Sequence, residues 1–327
     1  MMEESIKKYC GIDVSAETLD ICYEAEGGSL LNFQVTNDKK GFQQMIKACG
    51  KDYHYIMEST GVYHVELMFY LHDKKITFTV ENALKIKRFI QMQLDQSKSD
   101  KKDARWICLY GINQKPTATH RPENEYFECR ALNGAIHDIT KEINQICNRI
   151  HALERCPYDV KPILKSYRSM LTKLRLEKSK LEKELLEKLK SWQPELLTLV
   201  SSVKGIGKRA AAELIIFTKA FNGMTDYRQL ISYAGLNPTE HSSGTSIRGR
   251  GRISKRGGYQ LRHILYMCAM NAMQTNRACR ELYQRLISKG KNGKVAIIAV
   301  CNKLLKQVFG CVKNGIPYDD NYGKSFV

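Results

Sequence analysis

No CxxC pair occurs among the eleven cysteines of this 327-residue chain, and their number is odd. The missing pairs exclude the usual cysteine zinc sites, and scattered thiols argue against a disulfide framework. Long apolar runs are missing too. The longest, VAIIAVC from Val295, falls far short of the roughly 20 residues that span a bilayer. The start, MMEESIKKYC, is charged and lacks the apolar core of a secretion signal. Together these absences point to a reducing cytoplasm.

Acidic residues are scarce in one part only. Residues 1–130 hold 18 basic and 19 acidic side chains, 131–190 hold 13 and 8, and 191–327 hold 21 and 7. The C-terminal part thus carries +14 of the chain's +18. Such an asymmetry points to a polyanion partner, nucleic acid first. The hydrophobic content of 43% and charged content of 26% are ordinary for a globular protein, and the length allows two domains and a connector.

Three parts follow along the chain. In 1–130, KKYCGIDV, LDICYEA and LLNFQVT read as strands, then GFQQMIKACG as a helix, HYIMES as a strand, GVYHVELMFYLHD as a helix and KITFTV as a strand. That order predicts a mixed sheet covered by helices. In 131–193, Leu132, Ile136, Ile139, Ile143, Ile146, Ile150 and Leu153 recur at a 3.5-residue period. After a break from Cys156 to Pro162, Leu164, Tyr167, Leu171, Leu174, Leu181 and Leu185 resume it, with Lys178 interrupting one core position. This predicts a coiled coil of two antiparallel helices, pairing within a chain or between chains, with the second favoured because a narrow apolar seam needs a partner. In 194–327 the pattern is helical and basic. There SVKGIGKRAAAELI has the form of a helix-hairpin-helix, whose turn Gly205-Ile206-Gly207 aims backbone N–H groups at a phosphate, flanked by Lys204, Lys208 and Arg209.

Four carboxylates stand out in the first part. Asp13 lies in an apolar strand, where an unpaired charge is expensive. Glu58 ends the strand HYIMES, while Asp100 and Asp103 share one face at a helix start. Helix capping alone accounts for the last two. Taken together, the four suit a pair of Mg²⁺ ions of the kind that assist phosphodiester cleavage, since Mg²⁺ takes oxygen ligands.

The segment 241–263, HSSGTSIRGRGRISKRGGYQLRH, sets Ser242, Ser243 and Ser246 among glycines and the cations Arg248, Arg250, Arg252, Lys255, Arg256 and Arg262, without one acidic residue. It reads either as a loop that clamps phosphates or as the seat of a nucleophile. A serine hydroxyl needs activation, and no Asp, Glu or His lies between Ser242 and His263. Activation must then come from elsewhere in the protein.

These motifs carry a resemblance. GIDVSAETLD, MESTGVYH and SKSDKKDA resemble the acidic motifs of the DEDD transposases, the one-hundred-and-ten family of bacterial insertion sequences. SVKGIGKRAAAELI and the run from LISYAGLNPTE to LRHIL resemble that family's second half. The resemblance implies an α/β RNase H-like (RuvC-like) N-terminal domain, a coiled-coil connector and a mostly α C-terminal transposase domain. It implies an acidic tetrad of Asp13, Glu58, Asp100 and Asp103 binding Mg²⁺, or Mn²⁺ in its place, and Ser243 as the nucleophile that takes a DNA phosphate. It implies donor and target DNA and a structured bridge RNA as partners, in a homodimer or higher oligomer. The chain departs from the family pattern at Ser243-Gly244-Thr245, where SGG is usual, and at Ser99, where threonine is common. The competing readings are a RuvC-like nuclease in which water attacks, and a binding protein without activity.

Overall fold

The computed structural model describes residues 8–59, 61–93, 100–239, 242–243, 247–248, 252–255 and 257–321. The chain divides into two compact units, Met1–Arg121 and Pro122–Val327.

The first unit is a five-stranded mixed sheet with helices. Strands β1 (Tyr9–Val14), β2 (Thr18–Glu24) and β3 (Leu30–Thr36) form an antiparallel meander, followed by α1 (Lys39–Cys49). Then come β4 (His54–Glu58), α2 (Val65–Asp73), β5 (Phe78–Glu81), α3 (Ala83–Met92) and α4 (Asp100–Gln114). The strand order is β3-β2-β1-β4-β5, with β4 parallel to both β1 and β5. Alternation along the strands assigns the two faces. Cys10 and Ile12 point to the α1 side, where Cys10 Sγ lies 3.9 Å from Cys49 Sγ. Tyr9, Gly11 and Asp13 point to the α4 side. α3 was not among the elements read from the sequence, though Asn82 caps it by accepting from the Leu84 N–H.

In the second unit, α5 (Asn124–Leu153) and α6 (Lys161–Trp192) form a long hairpin, with Pro162 in the first turn of α6. The helices pack on each other within one chain. The heptad positions are their covered ones: Ile136, Ile146, Leu171 and Leu185 are buried, and the other seam residues are half-buried. At its base the hairpin joins a larger core. Tyr126, Cys129, Ile136, Leu185 and Leu189 cluster with residues of α7 (Pro194–Ser202), α8 (Lys208–Phe217), α9 (Tyr227–Ala234), α10 (Tyr259–Thr275), α11 (Arg277–Ser288) and α12 (Gly293–Asn314). A buried polar junction fixes the register there. Glu213 of α8 lies 2.9 Å from His137 Nε2 of α5 and 3.2 Å from Arg209 Nη1. The His137 and Arg209 partners outweigh burial and lower the pKa of the Glu213 carboxyl.

By length and composition α12 is apolar enough to cross a membrane. Val300, Cys301, Leu304, Leu305 and Val308 are nevertheless fully buried in this core, as a central helix of a globular unit requires. All eleven cysteines are free thiols.

Between α9 and α10 the backbone forms four two-residue strands: β6 (Pro238–Thr239), β7 (Ser242–Ser243), β8 (Ile247–Arg248) and β9 (Arg252–Ile253). β6 pairs with β9 and β7 with β8, both antiparallel. The described residues of the segment read from the sequence as a basic loop thus include two short antiparallel ladders, β7 with β8 and β6 with β9.

Candidate active site

The acidic residues of the first unit are gathered by strand register. Ile12 of β1 is level with Met57 of β4, so the next step along two parallel strands brings Asp13 beside Glu58. Glu58 is in turn level with Glu81 of β5, and Asp13 with Asp20 of β2. Residues level with one another share a face. Four neighbouring strands therefore carry a row of carboxylates, Asp20, Asp13, Glu58 and Glu81, on the α4 side.

Helix α4 crosses this face with its N-terminus toward the row. Cys108 Sγ donates to Tyr9 O at 3.4 Å, and a Cβ on Gly11 would lie 2.2 Å from Cys108 N and 2.5 Å from Ala104 O. Position 108 thus lies by Tyr9 and position 104 by Gly11, so Asp103 and Asp100 come next, toward Asp13. Asp103 is half-buried, and Asp100 is placed by its backbone alone. Glycine at position 11 makes this close approach possible. Gly11→Ala is expected to lower stability by about 1–3 kcal/mol and to reduce activity, because α4 must move away from β1. Thermal melting and a cleavage assay on the same variant check both.

The outer two carboxylates already serve the fold. Glu81 is buried and accepts from Tyr110 Oη at 2.8 Å, from the Asn82 N–H at 2.8 Å and from Lys85 Nζ. Burial, then the hydrogen bond to Glu81, raises the pKa of the Tyr110 phenol. Asp20 accepts from Gln34 Nε2 at 2.9 Å. Neither was singled out in the sequence. Glu81 ends its strand as Glu58 does, and that parallel was the available signal. The row supplies carboxylate oxygens, which suit Mg²⁺. Among the described residues no three His, Cys, Asp or Glu side chains close into a group that would hold a metal.

In the second unit Ser243 lies on β7 level with Ile247, and Ser242 level with Arg248. The outer pair β6–β9 is tied by Thr239 Oγ1 donating to Arg252 O at 2.9 Å.

Sequence models of two related transposase families match two separate stretches of the chain. The DEDD transposase model of IS110 covers residues 10–154, and that of the IS116/IS110/IS902 transposase family covers 197–284. The chain belongs to the IS110 family of transposases. It is similar to the pilin gene-inverting proteins of Moraxella bovis, at 26% identity, and Moraxella lacunata, at 25%. Each alignment spans 96% of this chain and 98% of the relative. An insertion element IS110 protein of 43.6 kDa from Streptomyces coelicolor is 29% identical over 48% of this chain and 38% of its own length. This transposase is accordingly an enzyme that cleaves and transfers DNA strands, and its family typically uses divalent metal ions.

The basic side chains expected to hold nucleic acid differ in what they touch in this transposase. Gly205, at φ +102°, packs against Ala272 of α10, where a Cβ would lie 2.6 Å from the Ala272 Cβ. Gly207 has open space around it and precedes α8 without a side-chain cap, so the N–H groups of the first turn have no acceptor within the helix. Lys208 is exposed. Lys204 pairs with Asp320, and Arg209 with Glu213 and Glu182. Arg262 donates to Ala234 O at 3.3 Å and to Gly257 O, so part of its guanidinium holds the end of α9 in place. Arg252 and Lys255 are exposed, and Arg248 is placed by backbone alone on β8. Arg250 and Arg256 lie outside the described residues.

Proposed function

We propose that this IS110-family transposase cleaves and rejoins DNA through a phosphoserine at Ser243, with Mg²⁺ held by Asp13, Glu58, Asp100 and Asp103 and with a bridge RNA choosing the sites. The observation that carries the reading is the register that brings Asp13 and Glu58 side by side under the N-terminal end of α4. The order β3-β2-β1-β4-β5, with β2 antiparallel to β1, supports an RNase H-like, RuvC-like fold for the first unit. α7, the glycine turn and α8 support a helix-hairpin-helix.

In the reaction the Ser243 hydroxyl loses its proton and its oxygen bonds to phosphorus. The phosphodiester P–O bond to the leaving strand breaks, and the departing oxygen takes up a proton. Attack by an incoming strand hydroxyl reverses these steps and frees the serine. Phosphodiester energy is conserved throughout, so no nucleotide cofactor is consumed. Bound Mg²⁺ would acidify the attacking hydroxyl and offset charge on the transferring phosphate. Arg252 and Lys255 neutralise neighbouring phosphates. Two relatives are named as gene-inverting proteins. Inversion requires every cut strand to be resealed, which supports a covalent intermediate over hydrolysis by water. The half-covered seam of the α5–α6 hairpin supports pairing with a second copy. The enzyme works in the cytoplasm, where its DNA lies.

The test incubates the full chain with target DNA, the element's flanking non-coding RNA and Mg²⁺. Removing Mg²⁺ with EDTA is expected to lower cleavage on the order of 10³-fold, the loss of several kcal/mol of charge stabilisation, and Mn²⁺ is expected to restore it. Cleavage undiminished in EDTA would overturn the metal. Equal, site-specific cleavage without RNA would overturn the guide.

A further inference from the structure

We infer that Lys204, the backbone N–H of Arg277 and the Tyr318 hydroxyl form a site for a nucleic-acid phosphate, and that Asp320 of the chain's own C-terminal segment occupies it as a built-in competitor. The inference rests on the reading of the glycine turn between α7 and α8 as a nucleic-acid contact.

Three elements meet there. Lys204 opens the turn. Asn276, fully buried, caps α11 by accepting from the Cys279 N–H at 3.2 Å and donates through Nδ2 to Lys204 O at 3.2 Å. It therefore binds the start of α11 to the turn. The N–H of Arg277, first in that helix, has no intrahelical acceptor and points to where the helix dipole favours an anion. After α12 the chain turns back at Gly315 and lays residues 316–321 over this junction. The Tyr318 N–H donates to Ser202 Oγ at 2.8 Å.

An anion is already seated in the cradle. The Asp320 carboxylate accepts from Lys204 Nζ and from Tyr318 Oη at 2.9 Å, and the Arg277 N–H beside it helps to lower its pKa. Lys204, first, holds its carboxyl below the ordinary aspartate pKa. An ammonium, a phenol and a helix N-terminal N–H around one pair of oxygens form a donor set that a phosphodiester would satisfy equally. The carboxylate is four-fifths covered and Lys204 about half exposed, so the cation is reachable from solvent while its partner is supplied internally. The segment that brings Asp320 is anchored at Tyr318, whose N–H donates to Ser202 Oγ and whose hydroxyl accepts from Gln307 Nε2 and can donate to Asn276 Oδ1, so Asp320 can leave Lys204 while Tyr318 stays in place. A cavity of about 260 Å³ lies between this segment and α12, lined by Lys303, Lys306, Gln307, Gly310 and Cys311. Asp319, next along the chain, accepts from the Asn321 N–H at 2.9 Å. It supplies an equal charge outside the cradle.

Nucleic acid that reaches the glycine turn therefore displaces Asp320 from Lys204. The energy of that exchange is small, because one ion pair replaces another, but it weakens binding to any duplex that cannot complete the swap.

The test is titration of a labelled duplex DNA of about 30 base pairs into the full chain at fixed low salt, with melting temperature as a check on folding. Asp320→Asn and Asp320→Ala are expected to tighten binding about 3- to 10-fold and to steepen the salt dependence by about one released counterion. Asp319→Asn is expected to leave both unchanged, and Lys204→Ala in the Asp320→Asn background to remove the gain. Equal tightening by the Asp319 and Asp320 variants would overturn the site in favour of general charge. No tightening by the Asp320 variants, while Lys208→Ala weakens binding, would overturn the site alone. If Lys204→Ala and Lys208→Ala both leave affinity unchanged, the reading of the turn fails and the inference falls with it.

Discussion

Asp13→Asn is expected to lower strand cleavage on the order of 10³-fold or more while moving the melting temperature by no more than about 4 °C. Asparagine keeps the shape and one carbonyl oxygen of aspartate but not the charge that a divalent cation needs. Asparagine can also keep a hydrogen bond at the same position, which limits the cost to the fold. Asp13 stands in a row of four carboxylates on neighbouring strands, and removing one negative charge there relieves repulsion. Function and stability are thus set against each other at this sheet end, as expected where charges are gathered for chemistry. Glu58→Gln is expected to behave alike. Glu81→Gln supplies the contrast. Its carboxylate is committed to Tyr110, Lys85 and the Asn82 N–H. Its loss is expected to destabilise by about 1–3 kcal/mol and to change cleavage less than tenfold per folded molecule. A cleavage assay beside thermal melting separates the two patterns. Comparable loss of cleavage in Glu81→Gln and Asp13→Asn would mean that the row acts as a unit and that its central pair has no special role.

Ser243→Ala is expected to abolish strand transfer with DNA affinity unchanged. Removing a hydroxyl from β7 takes away no charge, and affinity for DNA is governed mainly by charge. The reaction, by contrast, loses the atom that bonds to phosphorus, and water cannot conserve the bond energy in its place. Ser242→Ala and Ser246→Ala are expected to stay within about tenfold of the unaltered enzyme, the range of a lost neutral hydrogen bond. Gel-shift and strand-transfer assays on the three variants check this. A tenfold or greater fall in DNA affinity for Ser243→Ala would identify the serine as part of the grip.

The strands of the first unit were legible because alternation and β-branched residues mark them. β1 to β5 with α1 and α2 fall where KKYCGIDV through KITFTV suggest. Register was not legible. Nothing in MESTGVYH says that Glu58 stands level with Glu81, or that Asp13 stands level with Asp20, since the pairing is set by packing across strands far apart in sequence. The heptads identified the buried seam of α5 and α6, but periodicity specifies a face and not its partner. The shared core of Tyr126, Leu185 and Leu189 with the C-terminal helices was therefore invisible. The strands around Ser243 escaped notice for a different reason. Two-residue strands rich in Ser, Arg and Gly carry no hydrophobic alternation. The contact of Lys204 with Asp320 spans 116 residues, and nothing in the stretch IPYDDN points to a partner so far away in the chain.

The most direct measurement incubates the enzyme with Mg²⁺, its element's non-coding RNA and end-labelled target DNA. Label that travels with the denatured protein is then digested to a peptide and mapped. The expected result is a DNA-linked peptide carrying the linkage on Ser243, absent in Ser243→Ala and present in Ser242→Ala and Ser246→Ala. Cut DNA with no linked protein in any variant would contradict the serine intermediate and leave the carboxylates of the first unit to activate water.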